Sequence, residues 1–278
     1  MDARNLTIIQ VNDTHGYLEA HPELMWHGDT AAYPIMGGYA RIASILKGAR
    51  AEGHGSVLAL DNGDTFHGTY PVVSSKGAAL VPLVNALGFD AMTAHWEFAW
   101  GPRHWRALSA QLNHPMLAIN CYDVETGELY FPASIVIERG GLRVGIIGIA
   151  ATIIDKSMPP YFSEGVRFTS GCEELPAEIS RLRNDEGAEL IVVLSHLGLP
   201  QDIRVAHVVK DIDVIVSGHT HNRLEQPARI GNTLIIQSGC HGSFVGRLDL
   251  TVADGKIAGW RHRLIPVDQS IADDAEMS

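Results

Sequence analysis

Short runs of β-branched and aliphatic residues alternate along the chain with longer stretches in which apolar positions recur every three or four residues. Strand-like runs fall at residues 6–11, 56–60, 91–94 and 116–119, separated by helix-like stretches over 38–52, 78–87 and 102–112. The runs 133–138 and 143–149 flank Arg139-Gly140-Gly141, which reads as a hairpin turn, so the sheet is expected to be mixed. Helical patterns near 173–184 and 202–210 precede the apolar runs 190–194 and 214–217, and three more strand-like runs follow at 233–237, 246–252 and 257–264. This rhythm predicts an α/β protein with helices packed on the sheet faces. No repeat or low-complexity linker interrupts residues 1–267, which read as one domain. Residues 268–278 turn acidic and lose periodicity, as a tail or the start of a linker does.

Composition narrows the function classes. Hydrophobic residues are 46% and charged residues 19% of the 278, which places the chain among globular proteins rather than disordered, collagen-like or coiled-coil ones. With 21 basic and 32 acidic residues the net charge is −11, and no Lys/Arg block offers a footprint for a nucleic-acid backbone. A small anionic substrate would therefore need a local positive source, and a bound metal ion is one that an acidic protein rich in His can hold. The three Cys, at 121, 172 and 240, lack C-x-x-C spacing and read as buried thiols. The first residues carry charge and lead into only a short apolar run, too little for a secretory signal, and no stretch approaches the ~18 apolar residues of a membrane span. As written the chain reads as cytoplasmic, or as periplasmic or secreted if a precursor was trimmed.

Polar residues of metal-ligand type recur at the carboxyl ends of the expected strands, where open α/β sheets gather their ligand sites. They are Asn12-Asp13-Thr14-His15-Gly16, Asn62-Gly63-Asp64, His95-Trp96-Glu97, Ser195-His196 and Gly218-His219-Thr220-His221. Taken singly, each has an ordinary explanation: Asp13 and Asp64 as turn residues, His196 as a satisfied core His, the 219/221 pair as solvated. Taken together they form a thiolate-free set of oxygen and nitrogen donors that suits Mn, Zn or Fe. A carboxylate such as Asp64 is also able to bridge two cations about 3.5–4 Å apart.

The ordered set D-x-H, G-D, H-x-E-F, S-H and G-H-T-H resembles the calcineurin-like metallophosphoesterases, and most closely their 5′-nucleotidase branch, over residues 6–268. The resemblance implies a four-layer αββα sandwich of two mixed sheets flanked by helices. It implies two divalent transition metal ions (Mn, Zn or Fe), the first held by Asp13, His15 and His221, the second by His196 and His219, with Asp64 bridging and His95 able to join the second. It implies a metal-activated hydroxide attacking the phosphorus of a nucleotide or related phosphate ester. Full members of the branch carry a C-terminal domain that grips the nucleotide, and this chain stops where that domain would begin.

The catalytic segment departs from the branch pattern G-N-H-E-F-D-x-G, reading Ala94-His95-Trp96-Glu97-Phe98-Ala99-Trp100-Gly101. His95 replaces the usual Asn ligand, and Trp96 and Ala99 replace a His–Asp dyad. Trp96 has one indole N–H and no accessible pKa, so it is no general acid. The H-W-E-F segment is similar to the thiosulfohydrolase of the Sox sulfur-oxidising system, which keeps sulfate release from a thiol conjugate open beside phosphoester hydrolysis. The missing dyad also keeps open a catalytically silent metal-binding module. Around this set, His67 reads as solvated, His241 as part of a plain glycine-rich turn, Trp96 and Trp100 as core or as a stacking surface, and Glu97 as a partner for a basic side chain or an imidazole.

Overall fold

The computed structural model describes residues 3–277. Its first sheet takes strands β1 (Arg4–Val11), β2 (Val57–Asp61) and β3 (Ala91–Met92) from the amino-terminal third. The second sheet takes β4 (Ser134–Arg139), β5 (Leu142–Ile149), β6 (Leu190–Ser195), β7 (Val214–Ser217), β8 (Ala228–Ile230) and β9 (Thr233–Ile236). The chain then returns to the first sheet with β10 (Phe244–Ala253) and β11 (Lys256–Pro266), giving the orders β11-β10-β1-β2-β3 and β8-β9-β7-β6-β5-β4. Both sheets are mixed: β1, β2 and β3 run parallel while β10 is antiparallel to β1, and β5, β6, β7 and β9 run parallel between antiparallel edges β4 and β8.

The central strands are apolar on both sides because both of their faces are covered. Leu6 and Ile8 of β1 face Val192 and Leu194 of β6 in a core between the sheets, while Ile9 and Val11 point to the opposite face, beneath helix α1 (Tyr39–Gly53). In β6, Ile191 and Val193 face outward beneath helices α4 (Leu175–Asn184) and α5 (Leu199–Val208), with α2 (Val81–Leu87) and α3 (Pro102–Ser109) completing the first helical layer. The expected four layers are thus present, with a period-two alternation hidden in the sequence because every position is buried. Burial of each such aliphatic side chain contributes about 1.5–3 kcal/mol. Helix α1 shows the complementary pattern, burying Tyr39, Ile42, Ala43, Leu46 and Ala49 on one stripe.

Residues 116–119 do not form the expected strand. Met116 makes a single bridge to Met92, and the Ile119 N–H then donates to the Gly148 carbonyl at 2.8 Å, so the run crosses from the first sheet to the second. The crossing needs Gly148, since a Cβ there would lie 2.2 Å from the Leu117 oxygen. Two short ribbons that the periodicity did not reveal, His21–Pro22 with Ile35–Met36 and Met25–His27 with Thr30–Ala32, form a flap after β1. After β11 the chain packs back on α1, with Asp273 on Arg41 at 3.3 Å and Asp274 and Glu276 on Lys47 at 2.7 and 2.6 Å. Cys121 is buried and Cys172 and Cys240 are half-buried, all as free thiols. Among the described residues, no helix is long and apolar enough to cross a membrane.

Candidate metal centre

The carboxyl ends of β1, β2, β6, β7 and β9 meet along one edge of the sandwich, and buried amides fasten the two sheets there. Gln10 Nε2 donates across to the Ser217 carbonyl at 2.6 Å and to Asn62 Oδ1 at 2.9 Å. Asn62 Nδ2 donates to the Ser195 and Val216 carbonyls at 2.9 and 2.7 Å, and Gln237 Nε2 donates to Gly218 O at 2.6 Å. Gln10, Asn62 and Gln237 are fully buried, so each of these bonds satisfies a group that could not otherwise reach water.

On this floor stand the seven residues singled out from the sequence. Donor atoms of Asp13, His15, Asp64 and His221 all lie within 4.8 Å of one another, and so do those of Asp64, His95, His196 and His219. Asp64 belongs to both groups, as a bridging carboxylate requires. Five of the seven, Asp13, His15, Asp64, His219 and His221, adopt left-handed backbone with φ between 49° and 72°. For residues with a Cβ this costs on the order of 1–3 kcal/mol each, and such strain collects at sites where the direction of a side chain matters. In Asp13-Thr14-His15 and His219-Thr220-His221 the two left-handed residues alternate with a third, which turns both outer side chains into the crevice.

Imidazole nitrogens and carboxylate oxygens converge in the crevice. His196 Nδ1–H donates to the Asn62 carbonyl at 2.7 Å, which turns Nε2 toward the carboxylates. That Nε2 lies 3.3 Å from Asp64 Oδ2 and 3.7 Å from Asp13 Oδ1, fully buried and with no hydrogen-bond partner. His95 Nε2 is likewise buried and orphaned, while its Nδ1 lies 3.3 Å from Asp64 Oδ2. His15 Nε2 and His221 Nε2 face each other at 3.3 Å, and His221 Nε2 is 3.3 Å from Asp13 Oδ1. Two carboxylates and five imidazoles converging in a largely buried space call for positive charge, and these oxygen and nitrogen donors fit a divalent metal on chemical grounds.

The carboxylates draw positive charge into the crevice. Burial alone would lower the His196 pKa, but the Asp64 and Asp13 carboxylates and the bond to Asn62 push it up to about 10. The hydrogen bond to Asp13, with Cys240 adding to it, pushes His221 up to about 10 as well. His219 moves the other way, to about 4, through burial and the neighbouring His196 and His95. Burial pushes against ionisation of Asp64, yet His196 and His95 hold its pKa well below the usual carboxylate range.

Glu97 does something the sequence did not suggest. It is fully buried, and its carboxylate accepts four backbone N–H groups: Asp64 at 3.2 Å, Thr65 at 2.7 Å, Phe66 at 3.2 Å and His95 at 2.7 Å. It therefore holds the Asp64 turn and the His95 turn together. Trp96 gives its backbone N–H to Asp64 Oδ1 at 2.8 Å, and its ring is stacked on His67 with centroids 4.5 Å apart. His67 is thus an aromatic wall rather than a member of either donor group, and Trp100 flanks it at 5.7 Å. His241, read from sequence as a plain turn, reaches the crevice, its ring 5.9 Å from that of His15 and 6.0 Å from that of His221. Sequence reasoning missed Gln10 and Gln237, and it placed Asn12 and Asn62 in the strand-end clusters without assigning them a supporting role. The signal available was a polar residue placed inside or directly after each buried strand.

The family model described as calcineurin-like phosphoesterase matches residues 6–223. The probable 5′-nucleotidase of Treponema pallidum is 32% identical over 234 residues, covering 81% of this chain and 38% of that protein. Among solved structures, the sulfate thiohydrolase SoxB of Thermus thermophilus has a TM-score of 0.91 at 25% identity, covering 98% of this chain and 58% of that one. A 5′-nucleotidase precursor, also from Thermus thermophilus, has a TM-score of 0.86 at 26% identity, covering 98% of this chain and 57% of that one. The chain spans about half the length of the curated relatives it matches.

Proposed function

The chain belongs to the calcineurin-like phosphoesterase family, and from that premise we propose that it is a binuclear metal-dependent phosphoesterase of 5′-nucleotidase type, hydrolysing nucleotide or related phosphate esters. The observation that supports this most is the sharing of Asp64 between two groups of convergent oxygen and nitrogen donors. In this reading Asp13, His15 and His221 hold one ion, His95, His196 and His219 the other, and Asp64 both. Mn, Zn and Fe all suit the donor set. Bound there, divalent ions supply positive charge for phosphoryl oxygens and acidify water.

The chain's own residues set the selectivity. Glu97 and the Asn62 carbonyl fix the directions of Asp64 and His196, and the Trp96–His67 stack walls one side. Trp96 gives no proton to a departing alkoxide, so esters whose leaving groups are stable as anions are favoured over those with alkoxide leaving groups. The H-W-E-F segment at Trp96 supports a second reading, hydrolysis of a sulfur conjugate, and the likeness to the SoxB structure is compatible with it.

The test is metal analysis followed by a panel of aryl phosphate, nucleoside mono- and diphosphate and S-sulfocysteine, each with Mn, Zn and Fe. The proposal expects about two ions per chain in the two shared groups, fastest turnover on phosphate substrates, and loss of ions and turnover together in Asp64→Asn. Preference for S-sulfocysteine would favour the second reading, and metal binding without turnover of any substrate would return the silent module.

A further inference from the structure

Beside the two groups that share Asp64 lies a third cluster, His21, Glu23 and His241, whose donor atoms are also within 4.8 Å of one another. From its geometry we infer that these three residues form a separate divalent-cation site, of zinc type, on the flank of the crevice. The inference does not depend on the binuclear reading, because none of the three residues belongs to it.

The His21 and Ser243 hydrogens are directed to other acceptors. His21 Nδ1 lies 3.2 Å from the Glu19 carbonyl, so its N–H donates there and its Nε2 is left with a lone pair. That Nε2 faces Glu23 Oε2 at 3.9 Å and Ser243 Oγ at 3.3 Å. The Ser243 hydroxyl donates to Glu23 Oε2 at 2.7 Å, so what it shows to His21 is another lone pair. His241 Nδ1 approaches the same carboxylate oxygen at 3.7 Å. Its other neighbour is the Cys240 sulfur at 3.5 Å, a weak donor that a cation readily displaces. Two ligands about 2.1 Å from a tetrahedral ion stand about 3.4 Å apart, so the Glu23–His21 and Glu23–His241 spacings close with shifts of a few tenths of an ångström.

The donors are also held in place, as a metal site requires. Arg223 Nη2 binds the far oxygen of Glu23 at 2.7 Å, turning Oε2 toward the two imidazoles. The Tyr17 ring lies against both, 4.5 Å from His21 and 4.4 Å from His241. His241 has left-handed backbone with φ 58°, the conformation adopted by five of the seven crevice residues described above. Glu23 has only 8% of its side chain exposed, whereas His241 has 31%, which leaves one side of the cluster open to water or substrate. A purely structural strut would explain the Arg223–Glu23 pair and the Ser243 bond. Two imidazole nitrogens converging on the remaining oxygen go beyond that strut and make the donor set that a zinc ion takes.

The experiment uses the full chain loaded with zinc, passed through chelating resin and analysed by mass spectrometry for bound metal. With both readings correct, the wild type holds about three ions per chain and Glu23→Gln and His21→Phe each hold about one fewer, with unchanged circular dichroism. Asp64→Asn separates the readings, since it depletes the shared groups and leaves the ion that Glu23→Gln removes. Anomalous diffraction at the zinc edge on wild-type crystals gives a test that does not depend on the variants folding. A peak among His21, Glu23 and His241 supports the site. Its absence, or equal zinc content in wild type and both variants, overturns it.

Discussion

Replacing Glu97 by Gln changes one atom and no volume, and the structure states what that atom does. Glu97 Oε1 accepts from Thr65 and Phe66, and Oε2 accepts from Asp64 and His95. A glutamine keeps one oxygen and turns its amide N–H groups on the other pair, so two backbone donors in a fully buried place lose their acceptor. Each such loss costs roughly 1–3 kcal/mol, which puts the variant about 2–6 kcal/mol below wild type. Urea unfolding of the metal-free protein measures this directly, with the exposed Glu52→Gln as a control expected to change stability by no more than about 1 kcal/mol. Calorimetric titration with zinc is the second readout, since loosening the Asp64 and His95 turns weakens binding at both groups that share Asp64. A Glu97→Gln protein within about 1 kcal/mol of wild type, binding metal normally, would refute the role assigned to this carboxylate.

Three further outcomes are expected. Gly68→Ala would place a Cβ 2.1 Å from the His15 carbonyl oxygen, so the protein should lose about 3 kcal/mol or more in thermal or urea unfolding and bind metal weakly; a stable variant with full metal content would show that the His15 loop gives way. Asn62→Asp sets a carboxylate against the Ser195 and Val216 carbonyls, and should destabilise by about 3–5 kcal/mol in the same assay, where a loss under about 1 kcal/mol would mean the two sheets do not need this bolt. His114 is buried with neither ring nitrogen bonded, and burial lowers its pKa from 6.5 to about 4. The unfolded chain therefore takes up a proton that the folded one refuses, so the His114 contribution to stability is most favourable above about pH 6.5 and falls as pH drops toward 4. His114→Phe should remove about 2 kcal/mol of that loss between about pH 7 and about pH 4.5, as read from urea midpoints, and an unchanged pH slope would contradict the assignment.

The hydrophobic pattern located most of the eleven strands of the two main sheets, because a buried strand needs an unbroken apolar run and little else competes to explain one. It placed residues 116–119 wrongly for the same reason: an apolar run between two sheets looks like a run within one, and only the contact of Leu117 with Gly148 distinguishes them. The flap over residues 21–36 escaped because its strands are two or three residues long, too short to show a period.

What the sequence settled alone is the chemistry on offer: which donors stand at which strand ends, without thiolates, and that a Trp and an Ala occupy the places of a His–Asp dyad in the resembling branch. Local order along the chain carries that information, since a side chain at a strand's carboxyl end emerges at the edge wherever the strand lies. Tertiary structure decided how the donors group. Asp13 and His221 are 208 positions apart, yet 3.3 Å separates their donor atoms, a proximity created by the parallel order of strands in two stacked sheets. It also decided the orientation of His196, because the carbonyl of Asn62 takes its Nδ1–H and turns Nε2 into the crevice, and it turned Glu97 from an expected partner of side chains into a brace for two backbone turns. Those properties depend on distances between segments that no periodicity encodes.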